Sequence, residues 1–171
     1  RIMGNLPSRA ADNLFWLDVL EWGRASPYAA FFDINWQPRQ AMLRDKVLVP
    51  MLGDQYGQVL ERGELKLTFE AESGSYSVWY FQHRFPIHPP CYQDIVGDDD
   101  ELREWLSVAA NAGDDGRRAG QTLKNAIARI ARTDPDRSRK LQAAAERFNG
   151  TPGKPESFVA LHELLERQAY R

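Results

Sequence analysis

Four side chains in the first half of the sequence have the chemistry needed to contact a sugar or another hydroxyl-rich ligand. Asp33 and Trp36 share the segment Phe-Asp-Ile-Asn-Trp, and His83 and Arg84 begin the segment His-Arg-Phe-Pro. A flat indole can stack on the apolar face of a pyranose ring, and a guanidinium offers five donors in a fixed geometry. We therefore predict Trp36, Asp33, His83 and Arg84 as candidate substrate-binding residues.

Each of these candidates has a structural alternative. An Asp in such a loop more often orders a turn by accepting backbone N–H groups, and Arg84 is equally suited to a structural salt bridge. Three other tryptophans are also possible sugar platforms. Trp16 is predicted to lie in the core, Trp22 beside a terminal glycine is less committed, and Trp79 falls in a predicted strand.

The sequence does not supply a recognisable catalytic or metal-binding motif. A retaining glycosidase needs two carboxyl groups roughly 5 Å apart, and none of the acids here occurs in the Arg-x-Asp-His motif of the α-amylase clan. His83, His88 and Cys91 follow the spacing H-x4-H-x2-C, but a structural zinc site needs four ligands and no fourth is evident. We predict no catalytic residue, no metal and no cofactor, with these histidines bonded to backbone.

Composition restricts the partners and the compartment. The net charge is −2, so no overall basic field attracts nucleic acid or an anionic membrane. No apolar run is long enough to span a bilayer, and the single cysteine, Cys91, excludes an intramolecular disulfide. These observations predict a cytoplasmic protein with neither a membrane nor a nucleic-acid partner.

One stretch of the second half is locally basic and was considered as a phosphate-binding face. Its basic residues are Arg117, Arg118, Lys124, Arg129, Arg132, Arg137, Arg139 and Lys140. A nucleic-acid site would be expected to have aromatic residues interleaved with the basic ones, and none occur here. A solvated helical surface is the favoured interpretation, and salt-dependent DNA retention would be its refutation.

The elements of the first half follow from caps and periodicity. Leu65, Leu67, Phe69 and Ala71 alternate with polar residues, and Ser73-Gly74 turns the chain into a second strand, 75–81, so a β-hairpin is predicted. The prolines of 83–90 predict a segment outside any regular element. The remaining predictions are a helix from Asp12 or Asn13 to Glu21 ended by Gly23, a helix start at Ser26-Pro27, a β-like segment 46–51 and a helix 54–62.

The second half is predicted to be helical. Helices are expected from Asp98, over 117–132, from Asp134-Pro135 to about Asn149, and over 158–171 with Glu163 and Arg167 as an i,i+4 pair. The fold class is α+β and helix-dominated, with a small antiparallel β-hairpin sheet in the first half and a helical second half. We divide the chain into an aromatic-rich part, 1–97, and a helical part, 98–171. Both ends look cut, because the chain begins at Arg1 without an initiator Met and no capping signal follows the last helix.

Three stretches of the chain, 12–36, 46–86 and 148–171, resemble maltooligosyl trehalose synthases of the α-amylase clan. In the first stretch the resemblance rests on the run from Asn13 to Trp36. In the second it rests on Lys-Val-Leu-Val-Pro-Met-Leu-Gly-Asp (46–54) and on the hairpin that leads to His-Arg-Phe-Pro (83–86), and in the third it rests on the last helix. It is weakest over 98–147. The family's third barrel strand should end in Asn-His-Met just before this region, whereas the chain begins Arg-Ile-Met-Gly, with Ile2 where His is expected.

The resemblance implies an insertion domain that follows the third barrel strand, with the catalytic Asp and Glu on later strands that this chain lacks. The whole enzyme would convert the reducing-end α-1,4 linkage of a maltooligosaccharide into α,α-1,1 by intramolecular transglucosylation, without a dissociable cofactor. Its implied partners are the maltooligosaccharide and the catalytic barrel of the same longer chain. The alternative is a free-standing carbohydrate-binding or protein-interaction module without catalysis.

Overall fold

The computed structural model describes residues 13–171. Arg1–Gly4, which carry the Ile2 departure, and the alternative cap Asp12 lie outside the described residues. Helix α1, Leu14–Trp22, begins where the side chain of Asn13 accepts a hydrogen bond from the Trp16 amide at 3.1 Å. It ends at Gly23, as predicted.

The chain between α1 and the sheet is mostly irregular. Ser26-Pro27 was predicted to start a helix, and this is wrong: the Ser26 hydroxyl accepts the Tyr28 amide, and only a 3₁₀ turn, Ala29–Phe31, follows before extended backbone at Phe32. The β-like segment 46–51 forms a single parallel bridge between Val47 and Tyr170. Helix α2, Tyr56–Glu61, lies within the predicted 54–62.

Three antiparallel strands form the sheet in the order β1-β2-β3. They are β1, Leu65–Glu70, β2, Ser75–Tyr80, and β3, His83–Pro86. The hairpin is confirmed, but the irregular segment predicted for 83–90 is wrong over its first four residues. β3 is an edge strand and Pro86 is its last residue, a position where the missing N–H of proline interrupts no ladder.

Five helices complete the described part of the chain after the sheet. They are α3, Tyr92–Val96, α4, Arg103–Asn111, α5, Gly116–Thr133, α6, Pro135–Glu146, and α7, Val159–Glu166. The α+β class and the helical second half are confirmed. The predicted Glu163–Arg167 pair is replaced, because Arg167 forms its ion pair with Asp94 on α3.

The core lies between one face of the sheet and the helices. Strand residues alternate between the two faces, and the buried inward residues are Leu65, Leu67, Phe69, Tyr76, Val78, Tyr80 and Phe85. Tyr76 donates its hydroxyl to the carbonyl of Leu141 on α6, and Asn149 bonds both backbone groups of Leu67 on the free edge of β1. Buried residues from 1–97 and from 98–171 form one cluster. The division at 97 stays a prediction.

Within residues 13–171, no helix combines the length and the apolar character needed to cross a membrane.

Candidate functional site

Arg84 lies on the outer face of the sheet and connects its three strands. From β3, its Nε donates to the Ser77 hydroxyl on β2 at 3.1 Å, and its Nη2 is 2.5 Å from a carboxylate oxygen of Glu70 on β1. Ser77 is 0% exposed, whereas the Arg84 and Glu70 side chains both remain 23% exposed. The structural salt bridge weighed for Arg84 is therefore present, and it holds the guanidinium at a partly accessible surface.

Trp79 is the aromatic residue nearest to Arg84 in the sheet register. Lys66 on β1 and Arg84 on β3 are its direct partners on either side, and the indole is half-buried. The outer face thus combines a flat apolar ring, two cations and the Glu70 carboxylate. A ring that stacks and polar groups that exchange hydrogen bonds with hydroxyls are the two requirements of a sugar site. We call Lys66, Glu70, Trp79 and Arg84 the outer sheet face.

Sequence reasoning considered Trp79 as a platform but did not place it beside Arg84. The register of β3 was the missing signal, because the segment that contains Arg84 was predicted to be irregular. With β3 recognised as a strand, pairing across a tight turn at Phe81-Gln82 would have put Trp79 opposite Arg84.

His83 lies on the opposite face from Arg84. Neighbouring residues of a strand point to opposite sides, so His83 faces the core side, where its ring is nearly parallel to that of Tyr80 with centroids 6.3 Å apart. The structure therefore separates two residues that the sequence listed together. A ligand contact by His83 stays a prediction.

Trp36 belongs to a loop that is anchored by backbone and charge. Its carbonyl accepts the Asp45 amide at 3.0 Å, and the Arg24 guanidinium lies 5.5 Å from the indole centroid. Arg24 is itself paired with the Asp45 carboxylate at 2.7 Å. Arg24 thus covers one face of the half-buried ring, which also packs against the hydrophobic core.

Asp33 is exposed in the same loop. The turn that the sequence assigned to Asp33 as an alternative is ordered instead by Asn35, whose side-chain oxygen accepts the Gln37 amide at 3.1 Å. No hydrogen bond, ion pair or ring contact in the described part of the chain joins Asp33 or Trp36 to the outer sheet face. The four predicted residues thus occupy three separate places.

The remaining histidine and cysteine of the predicted loop are held by protein groups. His88 Nδ1 is 2.8 Å from the carbonyl of Glu21, its ring meets Trp22 edge-on, and burial lowers the pKa of the imidazole. Burial also raises the pKa of the Cys91 thiol, whose sulfur is 3.8 Å from the Gln168 amide. Among residues 13–171 no three His, Cys, Asp or Glu side chains are grouped so as to hold a metal ion.

Several residues of the basic stretch are neutralised by ion pairs. Lys124 on α5 contacts both carboxylate oxygens of Glu21 at 2.9 and 3.1 Å, and both side chains are largely buried. Arg117 pairs with Asp18 at 2.6 Å, so both contacts attach α1 to α5. These cations stabilise helix packing instead of presenting a continuous phosphate-binding surface. The nucleic-acid partner stays an untested alternative.

Comparison with known proteins gives a partial match. The chain is 36% identical over 70 residues to proteins named "Putative maltooligosyl trehalose synthase" from two strains of Mycobacterium tuberculosis, CDC 1551 / Oshkosh and ATCC 25618 / H37Rv. The match covers 36% of this chain and 9% of each relative, so the chain spans only a small part of their length. No protein-family model matches the chain, and no solved structure matches it.

Proposed function

We propose that this chain is the substrate-cleft insertion domain of a maltooligosyl trehalose synthase. The 36% identity to proteins of that name carries the proposal. The small share of those relatives that is matched agrees with a piece of a larger enzyme. The whole enzyme would isomerise the reducing-end α-1,4 linkage of a maltooligosaccharide to α,α-1,1, and its reacting carboxylates would come from the catalytic barrel of the longer polypeptide.

Two surfaces supply the groups with which such a domain would hold a glucan chain. The outer sheet face offers the Trp79 ring for stacking. Arg84 uses Nε and Nη2 for its protein contacts, so its Nη1 can donate hydrogen bonds to a ligand hydroxyl. The Trp36 loop offers a second ring that is half-buried. A wall that covers bound sugar also excludes water, which favours transfer to a sugar hydroxyl over hydrolysis.

The alternative is a free-standing carbohydrate-binding module, and the outer sheet face is the observation that favours it. A half-buried Trp between two cations on a sheet could bind sugar without any second domain. The two proposals differ in affinity. A complete module should bind maltooligosaccharides with a Kd of about 10 μM to 0.1 mM, whereas one wall of a cleft should bind with a Kd of about 1 mM or weaker.

The experiment is a titration of the isolated chain with maltopentaose, in which calorimetry and the chemical shifts of the backbone amides measure binding. We expect weak binding with a Kd of about 1 mM or above, and no formation of a non-reducing product after long incubation. The Trp79→Ala variant should weaken binding about fivefold, because a lost aromatic stacking contact is worth about 1 kcal/mol. Trp36→Ala tests the loop in the same way.

Trp105→Ala is the matched control, because Trp105 lies on α4 with 40% exposure and is absent from both surfaces. It should leave the affinity unchanged, and circular dichroism should show that all three variants fold. Tight binding lost in Trp79→Ala would establish the free-standing module instead. Formation of a non-reducing sugar by the isolated chain would refute the claim that the carboxylates lie elsewhere.

A further inference from the structure

A partly enclosed pocket lies on the core side of the sheet, away from the outer sheet face. Its walls are the inward side chains of the strands, α7 and the C-terminal segment. The apolar lining is formed by Leu52, Leu65, Val78, Phe85, Leu165 and Tyr170. The pocket holds about 160 Å³ and is open to solvent on one side, so a small molecule can enter without unfolding the sheet.

The size of this pocket matches a single ring. An apolar cavity of about 150 Å³ engineered into another protein stays dry and binds benzene, because water finds no polar partners there. Here Phe85 and Tyr170 already form a tilted ring pair with centroids 5.6 Å apart. Aromatic walls at such angles favour a further ring in an offset or edge-on position.

The polar groups at the rim are already paired with each other. The Glu166 carboxylate accepts from Arg171 at 2.5 Å, and Lys46 donates to the Glu166 carbonyl at 2.5 Å. The Tyr56 hydroxyl is 3.0 Å from His162 Nδ1, and burial raises its pKa to about 12, so the phenol is neutral. A charged ligand would lose its hydration here without gaining a partner of its own.

From these observations we infer that the pocket binds one uncharged aromatic or branched-alkyl molecule of about the size of benzene or toluene. This inference goes beyond the proposed function and is independent of it, because the pocket shares no residue with the outer sheet face or with the Trp36 loop. The two proposals can therefore fail separately.

The test compares toluene with benzoate, which has the same ring and carries a carboxylate. Each is titrated into the intact chain while NMR follows the methyl groups of Val78 and Leu165. We expect toluene to shift these methyls with a Kd of about 1 mM or below, and benzoate to bind at least about tenfold more weakly. The melting temperature should rise with toluene concentration, since binding is linked to the folded state.

Val49→Phe is the blocking variant and Leu48→Phe is its control. Val49 lines the pocket, whereas its neighbour Leu48 on the same extended segment is 62% exposed and lies outside it. Val49→Phe should lower the affinity for toluene at least about tenfold, whereas Leu48→Phe should lower it less than about twofold. The inference is overturned if toluene does not bind, if benzoate binds equally well, or if the shifted methyls lie outside the pocket. All three outcomes can be read from the unmutated chain, so the test does not depend on whether the variants fold.

Discussion

The hairpin turn between β1 and β2 touches the backbone of α5, and replacing Gly74 with alanine should disrupt that contact. A Cβ at Gly74 would lie 2.6 Å from the amide nitrogen of Ala128 and closer still to the carbonyl oxygen of Lys124. Both atoms belong to the helix backbone and cannot rotate away. The turn would therefore have to move away from α5, or the helix from the turn.

A second glycine separates this clash from backbone strain. Gly74 has φ +65° and Gly97, after α3, has φ +72°, but a Cβ at Gly97 would meet nothing within 4 Å. A positive φ of this kind costs a residue with a side chain about 1–3 kcal/mol at either position. Overpacking against a fixed backbone adds about 1–3 kcal/mol. We thus expect Gly74→Ala to lower the free energy of unfolding by about 2 kcal/mol more than Gly97→Ala does.

Urea unfolding followed by circular dichroism measures both variants under the same conditions. The midpoints should fall in the order wild type, Gly97→Ala, Gly74→Ala, with unchanged slopes, because the surface exposed on unfolding is nearly the same. A difference below about 0.5 kcal/mol between the two variants would show that the turn and α5 are not in contact in solution.

Two further changes test the sheet edge and a buried histidine by the same unfolding assay. Asn149→Ala should lower the free energy of unfolding by about 2–3 kcal/mol, because it leaves both backbone groups of Leu67 without their side-chain partner. The control Asn125→Ala, on the surface, should lower it by less than about 0.5 kcal/mol. Equal losses in the two variants would contradict the edge contact. The contribution of His88 to the free energy of unfolding should be complete above pH 6.5 and should decrease as the pH is lowered from there. The reason is that burial lowers the His88 pKa in the folded chain, so the unfolded chain binds more protons. His88→Asn, which can still donate to the Glu21 carbonyl, should flatten this dependence, and a retained slope would assign it to another group.

Local patterns in the sequence were sufficient for most of the elements. Asn13 and Gly23 bound α1 because a side-chain cap and a glycine at positive φ both act within one turn of the chain. Asp134 caps α6 by accepting the amides of Asp136 and Arg137, which is again a local interaction. β3 was missed because its strand character comes from pairing with β2, and its own prolines argue against a strand.

The arrangement of the candidate residues needed the fold. Sequence adjacency placed His83 with Arg84, but strand alternation separates them, and the partner that Arg84 acquires, Glu70, lies fourteen positions earlier. The Arg24 contact with Trp36 depends on a loop that returns through Asp45 to the end of α1. Neither contact has a periodicity that a sequence pattern could reveal.

The Arg84 contacts connect the stability of the sheet to the binding that we propose for its outer face. Two hydrogen-bonded partners on different strands fix the guanidinium before any ligand arrives, so little side-chain entropy remains to be lost on binding. The Glu70 carboxylate also offsets the charge of the Arg84 guanidinium, which limits the electrostatic attraction of Arg84 for an anionic ligand. A fixed donor beside a half-buried indole therefore supports the sugar contact that we propose for this face.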